Sequence, residues 1–229
     1  MAQIDLNALS QKLETGGLKD KKLALAALRE VPADQAVPLI KKVLNDKNGQ
    51  VRSMAIFALG VKQTDECFEL LMDILQNDPD YGIRADAAGA LGYLEDPRAF
   101  DQLVKSLYED VDWLVRFSAA VSLGNLKNPQ AHDALISALS SKEVVIQQAA
   151  IAALGEIKDT TAVDNILNFA QADDWLVRQR LAEALGNLPT QKSLSALRYL
   201  AKDDHPQVAE AAQISLQRLE DGKDERSAD

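Results

Sequence analysis

The sequence predicts an all-α solenoid of helical hairpins 31–32 residues long, and three observations carry that prediction. The first is self-similarity. Segments 51–60, 83–92, 115–124, 146–155 and 177–186 each open on a β-branched residue followed by Arg or Gln, and each closes on Leu-Gly. The closing glycines, Gly60, Gly92, Gly124, Gly155 and Gly186, stand 32, 32, 31 and 31 residues apart, a period that marks a repeat array. The second is the pattern inside a copy, where Val115, Ala119, Ser122/Leu123 and Leu126 fall on one helical stripe, with small residues where helices must approach. The third is capping, with Thr64, Asp96, Asn128, Asp159 and Thr190 each four residues past a repeat glycine, and Pro97 and Pro129 at the first helical position.

Taken in order, residues 6–13 make a lone first helix before Gly16-Gly17, and 21–28 is a degenerate copy with Arg29 in the glycine position. The five full copies above are the second, or B, helices of their hairpins. The first, or A, helices cover 68–75, 100–107, 131–139, 163–169 and 194–200, each amphipathic and followed by a polar turn. In those turns Asn48, Asp80, Asp112 and Asp174 stand four residues before the Arg of the next B helix and are good N-caps. A last degenerate copy, 208–217, ends the array at Leu219. The whole of 1–219 is thus expected to be a single solenoid of about seven helix pairs, followed by a disordered, acidic tail over 220–229.

Composition narrows the function classes. At 47% hydrophobic and 5% aromatic, the 229-residue chain buries Ala, Leu, Val and Ile, which suits closely packed helices. A net charge of −10 gives no steering toward nucleic acid or anionic lipid, so no nucleic-acid partner is expected. No stretch approaches the roughly 18 apolar residues of a membrane span, so no membrane insertion is expected. Met1 to Asp5 show no secretory signal, and the one cysteine, Cys67, sits in an apolar run as a core residue; both point to the cytoplasm. The two histidines, His132 and His205, lie outside any metal or nucleophile motif and are read as surface side chains, so neither a metal site nor a resident cofactor is expected. Five of the eleven glycines are repeat glycines near helix ends, permitting close packing and chain reversal; no Gly-rich phosphate loop with Lys-Ser or Lys-Thr exists.

The candidate binding residues gather at the starts of B helices. The pentapeptide Asp-Trp-Leu-Val-Arg occurs twice, at Asp112, Trp113 and Arg116 and again at Asp174, Trp175 and Arg178, and the copy between them has Val144 in the Trp position. Trp113 precedes the buried-stripe residue Val115 by two positions and points off the core, either toward a partner or over the turn as a lid on the A helix. Phe117 follows one turn later, and Tyr81 holds the equivalent position one repeat earlier, so the three sketch an aromatic strip beside Arg84. Around Trp175 the companions are polar: Gln179, Arg180 and Glu183. Aromatic anchors with Arg and polar neighbours are what protein interfaces use. Arg52, Arg84, Arg116 and Arg178 also fit a ladder, each reaching an acidic cap of an adjacent turn (Asp80, Asp112, Glu143 or Asp174), with Arg84 and Arg116, mid-array, as the exceptions expected to serve ligand binding.

The Val-Arg…Ala…Ala-Leu-Gly pattern resembles short HEAT-like repeats. It does not resemble the ankyrin or tetratricopeptide patterns, whose signatures are missing. The Asp-Trp-Leu-Val-Arg blocks, over about 18–219, further resemble the repeats of bilin lyase E/F-type (PBS-lyase-type) proteins, including their relatives in phycobilisome degradation. What the resemblance implies is a cytoplasmic protein near the thylakoid face. It would bind phycobiliprotein subunits, with a linear tetrapyrrole (bilin) as a candidate ligand, on a concave face lined by B helices. It would assist antenna disassembly under nutrient stress, or attach or detach the bilin at a partner cysteine. A generic adaptor role is the remaining alternative. For lyase chemistry the candidates are Asp112, Asp174, Arg116 and Arg178; no catalytic residue is fixed by the sequence.

Overall fold

A computed structural model describes residues 5–224, with side chains described through Asp221. Most of the segment read for a secretory signal (1–4), and the end of the tail (225–229), lie outside the described residues. Every regular element among the described residues is a helix. The A helices are α1 (Leu6–Thr15), α3 (Ala33–Lys41), α5 (Asp65–Asn77), α7 (Phe100–Glu109), α9 (His132–Ala138), α11 (Val163–Leu167) and α13 (Gln191–Leu200). The B helices are α2 (Leu18–Ala27), α4 (Gly49–Lys62), α6 (Tyr81–Leu94), α8 (Trp113–Asn125), α10 (Val144–Glu156), α12 (Trp175–Leu185) and α14 (Pro206–Asp224). The fold is an α-solenoid of helical hairpins.

The caps explain where the helices begin. Thr64 accepts a hydrogen bond from the Cys67 N–H, and Asp96, Asn128, Asp159 and Thr190 cap their A segments in the same way. Asn48, Asp80, Asp112 and Asp174 cap α4, α6, α8 and α12. Where Pro97 and Pro129 open the A segment, and at Thr160, the first turn is a tight 3₁₀ turn that passes directly into α7, α9 and α11.

Two parts of the sequence reading are corrected. The helix at 6–13 is not alone, because α1 packs against α2 and the degenerate copy is the B helix of a full pair. Helix α3, which carries Pro38 inside it and has no side-chain cap, stands as the A helix of the next pair and was not legible. In addition, α14 runs on to Asp224, five residues past Leu219. Gly222 alone costs about 1 kcal/mol in a helix, too little to end one already packed on α12 and α13.

The chain divides into two compact units, Met1–Gln102 and Leu103–Asp229. In the first, α2 packs on α4 and α4 on α6; in the second, α8, α10, α12 and α14 pack in series. Leu59 and Leu91 in one unit, and Leu123, Leu154 and Leu185 in the other, are fully buried, as is Cys67. The repeat glycines make these B-to-B contacts possible. A Cβ built on Gly124 comes within 2.9 Å of the Ala153 backbone, and one on Gly155 within 2.7 Å of the Ala184 backbone. Chain reversal, also assigned to the glycines, belongs to other residues. Every described glycine has an ordinary φ, and the left-handed residue of the turn lies three places later: Gln63 (φ 46°), Glu95 (53°), Lys127 (52°) and Lys158 (55°).

Candidate functional site

Each Arg of the row crosses its own turn. Nη1 donates to the carbonyl of the residue six places earlier: Arg52 to Asp46 at 3.0 Å, Arg84 to Asp78 at 2.9 Å, Arg116 to Asp110 at 2.8 Å and Arg178 to Ala172 at 2.6 Å. Gln147 does the same to Ser141 at 2.7 Å with its amide. These bonds tie the A-to-B turn to the B helix that follows.

The ladder onward from there is partly as expected. Arg52 reaches the cap carboxylate of Asp80 at 2.8 Å. Arg178 makes a two-point bond to Asp203, Nε to Oδ2 at 2.7 Å and Nη2 to Oδ1 at 2.9 Å, an acid of the turn before α14 that the sequence reading did not name. Lys21, in the Arg position of the degenerate copy, pairs with Asp46 at 2.5 Å. The Arg178 guanidinium holds the Asp203 carboxyl below the ordinary carboxylate range against the opposing effect of burial, and Lys21 does the same for Asp46. Arg116 does not reach Glu143: its bonds end on the carbonyls of Asp110 and Val111.

The aromatic candidates stand at the starts of their B helices. Trp113 is 44% exposed and Trp175 is 36% exposed, and Tyr81 is exposed at the start of α6. Trp175 stacks on His205, with ring centroids 4.2 Å apart and planes 11° apart, so this tryptophan covers the next inter-helix turn. His205 is half-buried, and its buried Nδ1 has no partner. His132 bonds Asp159 through Nδ1. Burial works to raise the Asp159 carboxyl, but hydrogen bonds from Thr161 and His132 outweigh it and hold it below its ordinary value. Neither histidine is the isolated surface side chain expected from the sequence, and no cluster among the described residues is arranged to hold a metal.

Of the remaining candidates, Asp112 and Asp174 spend a carboxylate oxygen on the N–H groups of Leu114 and Leu176, at 2.9 and 2.8 Å. Gln179 and Arg180 both donate to Glu183, at 2.9 and 2.7 Å, so the polar surround of Trp175 is bonded within itself. Phe117 is half-buried and makes no ring contact with Trp113. Sequence reasoning missed a second group, in the first unit, where the exposed rings of Phe57 and Tyr93 lie 6.5 Å apart with the Arg29 guanidinium 5.8 Å over Phe57. The available signal was a large apolar residue five places after the repeat Arg, off the buried stripe: Phe57 and Val121, with Ile214 at the equivalent place in the last copy. Exposed apolar residues thus recur on the solvent side of the B helices in each unit.

A family model for HEAT repeats matches residues 68–145 and 132–217. The chain is a HEAT-repeat protein. No curated protein matches its sequence. Among solved structures, the complex of CpcE and CpcF of phycocyanin lyase from Nostoc sp. PCC7120 is similar at a TM-score of 0.60 and 18% identity, over 96% of each chain. Kap95p bound to RanGDP is similar at 0.62 and 16% identity, over 96% of this chain and 36% of that one. An engineered protein is similar at 0.53 and 20%, over 94% of this chain and 68% of the other. At these identities the likeness is one of fold. No helix among the described residues of this HEAT-repeat protein is long and apolar enough to cross a membrane.

Proposed function

We propose that this HEAT-repeat protein is a cytoplasmic binding module that holds phycobiliprotein subunits on the exposed side of its B helices and assists antenna disassembly, in the manner of the phycobilisome degradation protein NblB. The observation that carries the binding role is the recurrence of an exposed aromatic residue at the first position of B helices, Tyr81, Trp113 and Trp175, in a chain that is only 5% aromatic. A large aromatic kept in water at a repeated position costs solvation and suits a hot spot. The pigment partner is supported by the two Asp-Trp-Leu-Val-Arg blocks and by likeness over the full length to a phycocyanin lyase complex.

Binding is favoured over lyase chemistry because three of the four candidate groups beside the tryptophans are already engaged, and the fourth, Arg116, is a guanidinium that does not give up its proton. Asp112 and Asp174 cap helices, and Arg178 is held by Asp203. A group acting as acid or base on a bilin thioether needs a proton it can give or take at that atom.

The test is titration of purified phycocyanin subunits with the wild-type chain and with the Trp113→Ala/Trp175→Ala double variant, following affinity and visible absorbance together. The expected result is a complex weakened by at least about thirtyfold in the variant, the loss of roughly 2 kcal/mol typical of hot-spot tryptophans. An absorbance change that persists after denaturation supports the lyase reading instead, and equal binding by both proteins leaves a generic adaptor.

A further inference from the structure

The Arg row contains an internal control. The cation of one repeat pairs with an acid in the turn of the next, either at the cap, as Arg52 does with Asp80, or six places before the next Arg position, as Lys21 does with Asp46 and Arg178 with Asp203. For Gln147 the corresponding residue is Ala172, so cation and acid are dropped together. Arg116 breaks this matching, because its charge is kept while the facing residue is Ser141. Its Nη1 bonds the Asp110 and Val111 carbonyls at 2.8 and 3.2 Å, and no described carboxylate bonds its Nε or Nη2, the two nitrogens that Arg178 uses on Asp203.

The space for a carboxylate is also present. A cavity of about 220 Å³ lies at Arg116, lined by Tyr108, Ser137, Ala138 and Ser141 among others, in the same place in its repeat as the larger groove, about 440 Å³, whose lining includes both Arg178 and Asp203. The Ser141 hydroxyl oxygen accepts from the Glu143 N–H at 3.2 Å, which leaves its own proton to donate. Val111, whose carbonyl Arg116 bonds, is 90% exposed, and Tyr108, in the lining of the cavity, is exposed as well.

We propose that this cavity is a binding site for an aspartate or glutamate side chain presented by another polypeptide, which completes the missing rung from outside. A carboxylate fits better than a phosphate, since one guanidinium and no lysine line the cavity in a chain of net charge −10. The inference rests on the comparison between repeats and does not depend on the pigment partner.

The experiment follows the Arg116 Nε–H resonance by NMR, identified by its loss in Arg116→Gln, while N-acetyl-Gly-Asp-Gly-amide is added. N-acetyl-Gly-Asn-Gly-amide and inorganic phosphate are the comparison arms, and Ser141→Asp is the second variant. The expected result is a saturable shift with the Asp peptide, none with the Asn peptide, and loss of the response in Ser141→Asp, whose resonance starts at the shifted position. An equal response to the Asn peptide, a Ser141→Asp chain that still responds, or tighter binding of phosphate overturns the proposal.

Discussion

At the scale of single residues, the Arg178–Asp203 pair is the contact with the clearest cost. Its side chains are only 16% and 10% exposed and meet at two points, so it escapes most of the screening that weakens surface pairs. Asp203→Asn is expected to lose about 1.5–3 kcal/mol at pH 7, a hydrogen bond to a charged group being worth that much. Because the folded-state value of Asp203 lies below the ordinary one near 3.9, its contribution is complete above that pH and disappears as pH falls through the folded value. Melting temperatures at pH 7 and near pH 2 check this: wild type and variant differ at neutral pH and converge in acid. Caps and Arg were legible because their bonds are local, as with Asp112 to Leu114 N–H and Arg116 to the Asp110 carbonyl. Asp203 as the partner of Arg178 was not, since which acid of the next turn meets a long side chain depends on the rise between repeats.

At the scale of elements, the period located every B helix, and the caps located five of the seven A helices. Helix α3 escaped because Pro32 precedes it without a capping side chain and Pro38 interrupts its pattern. The glycines were read correctly as packing positions and incorrectly as the reversal itself; a left-handed Gln, Glu or Lys is invisible in a sequence until the turn is seen. Two substitutions separate these roles. Gly155→Ala drives a Cβ to 2.7 Å from the Ala184 backbone and is expected to destabilise by about 1–3 kcal/mol. Gly89→Ala meets nothing within 4 Å in the interior of α6 and is expected to stabilise by about 0.5–1 kcal/mol. Opposite shifts in denaturant midpoint check the pair, and a neutral Gly155→Ala contradicts the close-packing account.

At the scale of the whole molecule, repetition made the fold legible and the function less so. A solenoid repeats its core residues to stack on neighbours, so those positions report architecture, and only departures from the repeat report use. Trp113 and Trp175 were visible as departures because the pentapeptide skips one copy at Val144. Phe57 and Tyr93 were not, because the off-stripe place of Phe57 carries a different apolar residue, Val121 or Ile214, in other copies, and Tyr93 has no aromatic counterpart. The gap at Arg116 appears only when rungs are compared between repeats in three dimensions. The central claim is that a partner protein docks along the solvent side of the B helices. Amide hydrogen exchange of the chain with and without phycocyanin subunits tests it most directly. The account predicts added protection over the opening turns of α6, α8 and α12, with the A helices unchanged; protection confined to A helices, or none at saturating partner, contradicts it.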